Sequence, residues 1–369
     1  WTDVAQSSIL SIGALLVAGL ILFDLPEGPG QVFTIGTEHG KFSLGSFEAD
    51  LTTSTFWVMI LYGVFINLNN FGIDQNFVQR YHTAKSDKEA ARSVWMGAIA
   101  YVPISLLFFF IGTSLFAYYE TNPEMKAEVQ TQVATATLER NKLTLTPEEY
   151  EAQVAALPAT AMALTSEKIG DKVFPHFIVE KLPTGMAGLL IAAIFAAAMS
   201  SVDTSLNSSA TVILTDIYKR YFNPNVDEKG QMVVLYASTL FVGAVGTGIG
   251  VALIGTESIL DAWWTLSGIF AGGMLGLFLL SLVARKANKP SAALAVVIGL
   301  LVSTWMAFSD VKFLKETLGI PYELPEALRS PFHTHMTIVV GTLTIFFVGL
   351  IISQFIGSNS DNSEPIVET

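Results

Sequence analysis

Long apolar segments alternate with shorter polar connections along this 369-residue chain. A helix needs roughly 20 apolar residues to cross a bilayer, and eight segments come near or above that length. They cover residues 5–23, 55–79, 91–118, 186–216, 231–254, 258–284, 290–308 and 333–356. Hydrophobic residues make up 51% of the chain and charged residues 14%. We therefore predict an all-α, polytopic membrane helical bundle and not a soluble domain.

The basic residues are concentrated in three short connections, which hold ten of the twenty Lys and Arg residues. These connections are 80–92, 217–230 and 285–290. Loops rich in Lys and Arg stay on the cytoplasmic side, so we predict that all three are cytoplasmic. The intervening loops 24–54, 119–185 and 309–332 are then outside, and both ends of the chain are cytoplasmic.

The outer connection 119–185 is long and charged. Its segment TPEEYEAQVAAL (146–157) predicts a capped helix, with Thr146 as N-cap, Pro147 in first position and Glu149 in third. The apolar segment 174–183 is predicted to fold back onto the protein. We predict one transmembrane domain over residues 1–357 that carries 119–185 as an extracytoplasmic helical insertion. A polar, disordered cytoplasmic tail follows over residues 358–369.

One predicted membrane helix, within residues 188–220, carries a row of oxygen atoms. At 100° per residue, a single face presents Ala197, Ser200, Ser201, Thr204 and Ser208. Asp203 lies at the edge of this face. A carboxylate at membrane depth indicates an ion path or a substrate site, and oxygen ligands suit hard cations. Close helix packing with hydrogen bonds between helices is the alternative. Asp3 lies at the predicted cytoplasmic mouth of the first span and is interpreted as a helix N-cap, a role that can coexist with a functional one.

The second span is predicted to be broken. Asn67, Asn69, Asn70 and Gly72 lie within six residues, which disfavours a continuous lipid-facing helix. Unwound backbone at membrane depth occurs where it lines a cavity or is buried in protein, and broken helices are typical of transporter sites. Alternatively, the asparagines bond to a neighbouring helix.

The sixth span contains four glycines that predict close helix approach or a flexible bend. They are Gly268, Gly272, Gly273 and Gly276. Trp264, near the predicted outer end of this span, is either an interfacial anchor or a substrate contact.

Several classes of function lack support in the sequence. There are no cysteines, and the five histidines lie in loops or at span ends without paired metal spacing. The nucleophile and nucleotide motifs of common enzymes are missing, so we predict that the protein is not an enzyme. The net charge of −12 arises mainly in loops and the tail, and no nucleic-acid partner is predicted. An ion channel remains an alternative, because it needs only a polar pore.

Four segments resemble the sodium:solute symporter family. They are WTDVAQ (1–6), NLNNFGIDQNFVQRYHTAKS (67–86), the stretch GLLIAAIFAAAMSSVDTSLNSSATVILTDIYKR (188–220) and GGMLGLFLL (272–280). The resemblance implies a LeuT-type fold of two inverted five-helix repeats with the site between them. The first span would be the last helix of repeat one, spans two to six all of repeat two, and two extra helices would follow. The chain would then be amino-terminally truncated, at about two thirds of a transporter.

The resemblance also implies roles for individual residues. The Ala197 carbonyl, Ser200 and Ser201 would contribute to the main sodium site. Asp3, with Ser200, Asp203 and Thr204, would border a second cation site that some members have. Sialic acid members have serine at the position of Asp203, so this aspartate either replaces a hydroxyl ligand or accepts a proton.

The candidate substrate contacts are Asn67, Asn70, Phe71 and Trp264. Asn67 matches a sugar-contacting asparagine of galactose members, but Asn70 replaces their gating tyrosine and their sugar-binding lysine falls near Ile99. The local sequence of segment 179–201 is more similar to that of the sialic acid members. The resemblance therefore implies a sodium-coupled symporter in the cell membrane that imports a polar solute, such as a sugar or sialic acid, by alternating access. Its partners would be Na⁺, the solute and the lipid bilayer. Monocarboxylates and amino acids remain alternative substrates.

Overall fold

The computed structural model describes the chain as a series of helices. It covers residues 2–142, 145–254, 259–284, 287–309 and 324–355. The α-helices are α1 (Thr2–Asp24), α2 (Gln31–Glu38), α3 (Phe56–Gly72), α4 (Gln75–His82), α5 (Asp87–Thr121), α6 (Pro123–Asn141), α7 (Pro147–Met162), α8 (Ser166–Lys181), α9 (Thr184–Val212), α10 (Glu228–Ala252), α11 (Ile259–Val283), α12 (Lys289–Ser309) and α13 (Thr337–Phe355). A π-helix (Ile213–Phe222) continues α9, and short 3₁₀ turns cover Glu326–Leu328 and Thr334–Met336. The predicted tail at 358–369 lies outside the described residues.

Seven of the described helices are long and apolar enough to cross a membrane, and the bent pair α3 and α4 makes an eighth candidate. The axes of α3 and α4 differ by 47° across a short break. The predictions of an all-α membrane bundle and of a broken second span are therefore confirmed. The third span, α5, is one continuous helix of 35 residues that includes Pro103.

The chain divides into two compact units. The first contains the residues up to Ser43 together with Ser86–Ala244, and the second contains Leu44–Lys85 together with the chain from Val245 onward. In the first unit α1 packs against α5 and α9, and α2 packs against α5. Fully buried side chains such as Val17, Ile21 and Ile111 form its apolar core.

The predicted outer insertion consists of α6, α7 and α8. The expected cap of α7 is confirmed: the Thr146 hydroxyl accepts a hydrogen bond from the Glu149 amide, and the Glu149 carboxylate accepts one from the Thr146 amide. This backbone bond holds the pKa of Glu149 below its usual range. In α8, Phe177 and Ile178 are buried in the core of the first unit. The prediction that segment 174–183 folds back onto the protein is therefore also confirmed.

A polar contact ties together the ends of α1, α5 and α8. The Tyr118 hydroxyl donates to Asp24 Oδ2 over 2.7 Å, and Lys181 Nζ donates to the same oxygen over 3.1 Å. Tyr118 is completely buried, whereas the Asp24 side chain is 53% exposed. The carboxylate therefore anchors a buried hydroxyl while keeping access to water.

Tyr118→Phe is expected to lower the stability of the full-length protein by about 1–2 kcal/mol, because it removes one hydrogen bond to a charged group. Water reaches the Asp24 carboxylate and offsets part of the loss. The melting temperature of the purified protein measures the effect. Tyr101→Phe on the same helix is the control, since Tyr101 is 72% exposed; equal melting temperatures for the two variants would contradict the proposed anchor.

In the second unit α11, α12 and α13 pack on one another, and α3 packs against α11 and α13. Glycines allow the close approach. A Cβ atom at Gly272 would lie 3.2 Å from the Ile338 carbonyl oxygen, and one at Gly276 would lie 2.7 Å from the Ile345 Cβ. The prediction of close helix packing at these glycines is confirmed.

Candidate functional site

The oxygen-bearing face of α9 forms as predicted, with its hydroxyls bonded to the helix itself. Ser201 Oγ donates to the Ala197 carbonyl over 3.2 Å, and Thr204 Oγ1 donates to the Ser200 carbonyl over 2.9 Å. Bonds to the carbonyl four residues earlier let hydroxyl groups lie within an apolar helix without a buried, unpaired donor.

One hydrogen bond of this face reaches another helix. Ser200 Oγ donates to Asp3 Oδ1 over 2.8 Å and so connects α9 to the start of α1. Asp3 lies in the first turn of α1, which begins at Thr2. The N-cap reading of Asp3 is therefore wrong, although a carboxylate in this turn still interacts favourably with the helix dipole.

The second acidic residue of the predicted site is separate from this contact. Asp203 is exposed, and it has no hydrogen-bond or ion-pair partner within the described ranges. At 100° per residue it lies about 60° around the helix from Ser200. The structure therefore brings Asp3 and Ser200 together, with Thr204 one turn further along α9, and leaves the Asp203 carboxylate free to meet another group.

The hydrogen-bond directions leave acceptor capacity at the hydroxyls. A hydroxyl has one proton and two lone pairs, and Ser200 and Ser201 both use their proton on an oxygen atom. Their lone pairs, together with the Asp3 carboxylate, are oxygen ligands of the kind that hard cations prefer. Among the described residues no group of three or more His, Asp or Glu side chains has metal-binding geometry. A cation here would thus be held mainly by hydroxyl and carbonyl oxygens.

The break between α3 and α4 has its own set of hydrogen bonds. Asp74 caps α4 by accepting from the Asn76 amide over 2.8 Å. The Asn69 carbonyl accepts from the amides of Ile73 and Asp74, both over 3.1 Å. Tyr81 OH donates to the Phe71 carbonyl over 3.0 Å. The bend is therefore built into the sequence by a cap and by a tyrosine that bridges the break.

Three of the predicted substrate residues lie at this end of α3. Asn67 is exposed and donates to the Gly63 carbonyl over 2.7 Å. Asn70 is half-buried, and the Phe71 ring packs on Phe77 across the break, with centroids 5.0 Å apart. Their proximity follows from their places in the sequence, because all three belong to one helix end.

Trp264, the fourth predicted substrate residue, has different neighbours. Its ring and the His335 ring pack edge to face with centroids 5.0 Å apart, and the His335 ring also stacks on Tyr62 with centroids 4.8 Å apart. Tyr62 precedes Asn70 by eight residues, which is about 12 Å along a helix. The sequence gives no signal for this aromatic cluster, because its three members come from three distant segments.

Two further features are the burial of Asn69 and the π-helix after α9, neither of which the sequence predicts. Asn69 is only 3% exposed, and its Oδ1 has no hydrogen-bond partner in the described structure. The π-helix Ile213–Phe222 ends α9 on its basic side, and π-helical turns occur frequently at functional sites. The only sequence signal for Asn69 is the cluster of asparagines around it.

Comparison with known proteins places these features in context. The model of the sodium:solute symporter family matches residues 1–299. The chain is 29% identical to the sodium/sialic acid symporter NanT of Aliivibrio fischeri, over 99% of this chain and 61% of that protein. It is 31% identical to the sodium/sialic acid symporter SiaT of Proteus mirabilis, over 85% of this chain and 56% of that protein.

A solved structure shares the fold of this chain. It is a Na⁺-coupled sialic acid symporter in a substrate-bound, outward-open state, with a TM-score of 0.69 and 28% sequence identity. The match covers 96% of this chain and 62% of that one. The chain thus spans less than two thirds of the length of these relatives.

Proposed function

The chain belongs to the sodium:solute symporter family, and on that premise we propose that the protein it forms part of is a sodium-coupled symporter for a sugar acid of the sialic acid type. The observation that carries the proposal is the Ser200–Asp3 bond between α9 and α1, which gathers oxygen ligands in two predicted membrane spans. Two relatives of about 30% identity, both sodium/sialic acid symporters, support the substrate class.

We assign the ions to the oxygen face of α9. The Ala197 carbonyl with Ser200 and Ser201 contributes to the main sodium site. Asp3 with Ser200, Asp203 and Thr204 contributes to a second cation site. The availability of hydroxyl lone pairs supports both assignments. Because these groups do not enclose an ion completely, every functional test uses the full-length protein.

The substrate is assigned to the break between α3 and α4. Asn67, Asn70 and Phe71 line it, and Trp264 is a more distant candidate. Amide groups at a helix end can bond the hydroxyl and carboxyl groups of a sugar acid, and the 47° bend ends α3 directly after them. Residues 1–357 are proposed as one transporter domain, with segment 119–185 as its extracytoplasmic insertion.

Alternating access would couple the two sites. Cations bound between α1 and α9 favour one conformation by their differential affinity for it, and substrate binding at the break completes the occluded state. An inside-negative potential of about 100 mV contributes roughly 2.3 kcal/mol for each charge that enters. That energy can drive the uphill import of a solute.

The full-length protein in proteoliposomes is expected to accumulate labelled sialic acid when an inward sodium gradient is imposed. Uptake should saturate, require sodium and collapse when sodium is equal on both sides. Unlabelled galactose, a monocarboxylate and an amino acid serve as competitors, and only the transported class should displace the label. Single-channel currents without solute, or accumulation that ignores sodium, would contradict the proposal.

A further inference from the structure

A cavity lies between the carboxyl-terminal end of α5 and the helix α8, away from the oxygen face of α9. Its volume is about 340 Å³, within the range of small-molecule sites. Both walls belong to the first compact unit. Because α5 is a predicted membrane span that ends at Thr121, the cavity lies near one boundary of the bilayer.

Two glycines give the cavity its width. Gly112 on α5 and Gly170 on α8 both line it, and a Cβ atom added to either would meet no other atom within 4 Å. At Gly36 on α2, by contrast, a Cβ atom would lie 2.7 Å from the Phe42 ring. The packing of the Phe42 ring therefore explains Gly36, whereas the other two glycines border open space.

The body of the cavity is apolar. Ile111, Leu115 and Ile169 line it and are almost completely buried. Phe108, between three and four turns before the end of α5, lines it as well but is 48% exposed. The apolar part is therefore open along this exposed side of α5, where a hydrocarbon chain can enter.

The opposite end of the cavity carries positive charge. Lys126 Nζ is 2.6 Å from Glu120 Oε1, and Ser166 Oγ donates to the same oxygen over 2.9 Å. Glu120 is thus neutralised. Lys41 Nζ lies 4.2 Å above the centroid of the Phe116 ring, and it has no carboxylate within ion-pair distance in the part of the chain that the structure describes. One uncompensated ammonium group remains at the rim.

We propose that this cavity binds an anionic phospholipid of the surrounding bilayer, with an acyl chain along the apolar walls and the phosphate at Lys41. The order of the groups supports this ligand, since the apolar walls lie along a predicted membrane span and the Lys41 ammonium group stands at their polar end. An ammonium group and a lipid phosphate attract each other as opposite charges on either side of a bilayer. The inference does not depend on the proposed transport activity.

The experiment measures lipid retention by the full-length protein. The protein is exchanged into mild detergent with equal amounts of phosphatidylglycerol and phosphatidylcholine, purified, and its bound lipids are quantified by mass spectrometry. Phosphatidylglycerol is expected to be retained preferentially. Gly112→Leu fills the cavity and should reduce retention at least about tenfold, which corresponds to the burial of a few methylene groups. Lys41→Gln should reduce it about fivefold, as expected for one lysine near the membrane surface.

Matched controls lie on α5 itself. Gly97→Leu places the same side chain at another glycine with open space around it, and Lys88→Gln removes a charge from the other end of the helix. Both should retain lipid like the unmodified protein. If Gly112→Leu does not fold, Lys41→Gln with its control decides the question.

Three results would overturn the proposal. Equal retention of the two phospholipids would remove the anion assignment. Retention of a free fatty acid in place of phosphatidylglycerol would show that the ligand of the cavity is not a phospholipid. A lower melting temperature of Gly112→Leu with unchanged lipid retention would show that another protein segment fills the cavity.

Discussion

Ser201→Ala in the full-length protein is expected to raise the sodium concentration for half-maximal uptake about tenfold or more. The change removes one hydroxyl and almost no volume. Ser201 Oγ donates its proton to the Ala197 carbonyl, so its lone pairs are available to a cation. Loss of an oxygen ligand from a charged partner is worth about 1.5–3 kcal/mol, and 1.4 kcal/mol corresponds to a tenfold change in affinity. Sodium-dependent uptake in proteoliposomes measures the effect.

The same helix offers the control. Ser209→Ala makes an identical change eight residues further along α9, away from the oxygen face, and should leave the sodium dependence unaltered. Without sodium, the melting temperature of Ser201→Ala should match that of the unmodified protein, because a hydroxyl that only packs between helices contributes about 1 kcal/mol or less. An unchanged sodium requirement with intact folding would leave the assignment of Ser201 without support.

The two aspartates separate the second cation site from the first. Asp3→Asn keeps a side chain that can accept from Ser200 but removes the charge, so we expect fewer coupled cations or a less steep sodium dependence. Asp203→Asn removes a charge that no described residue neutralises, and we expect it to change the sodium dependence of uptake as well. If both variants keep the steepness of the sodium dependence of uptake, the second cation site has no support and only the main sodium site remains.

Gly276→Ala is expected to lower the stability of the protein by about 2–3 kcal/mol. The added Cβ would lie 2.7 Å from the Ile345 Cβ and 2.9 Å from the Thr342 carbonyl oxygen on α13. The second of these is backbone and cannot rotate away, so α11 and α13 must separate. Overpacking of this kind costs about 1–3 kcal/mol. We expect the upper part of this range because residues of α13 belong to the core of the second unit.

Gly273→Ala on the same helix is the control, because its Cβ would meet only the Leu300 side chain at an ordinary 3.7 Å. Alanine also gains up to about 1 kcal/mol over glycine within a helix, so this variant should be as stable as the parent or more so. Thermal unfolding of the two purified proteins gives the comparison. Equal melting temperatures for Gly276→Ala and Gly273→Ala would show that the helices accommodate the methyl group.

Local patterns carried much of the fold and part of the site. The capping box of α7 lies within four residues, and the oxygen face of α9 repeats with the helical period. The break after α3 was predicted from its asparagines and Gly72, and Asp74 and Tyr81 near it complete the bend. These features could be predicted because the residues that form them are close in sequence, so that helix geometry alone brings them together.

Features made by distant segments could not be predicted in this way. Nothing local to Tyr118 indicates a bond to Asp24, which is 94 residues away, and nothing near Trp264 indicates His335. The interpretation of Asp3 as an N-cap is wrong for a different reason. The structure begins α1 at Thr2, so Asp3 lies inside the helix, and an N-cap must be the residue just before it.

The sequence by itself determined that this chain is an all-helical membrane protein, where one helix is broken, and which face of α9 carries oxygen atoms. Hydrophobic length and helical period are properties of continuous stretches and need no partner. Only the tertiary structure decided that Ser200 meets Asp3 across 197 residues, that Asp203 stands apart, and that Gly112 and Gly170 face open space. Each of these depends on how helices pack, because helix packing brings together residues that no local pattern relates.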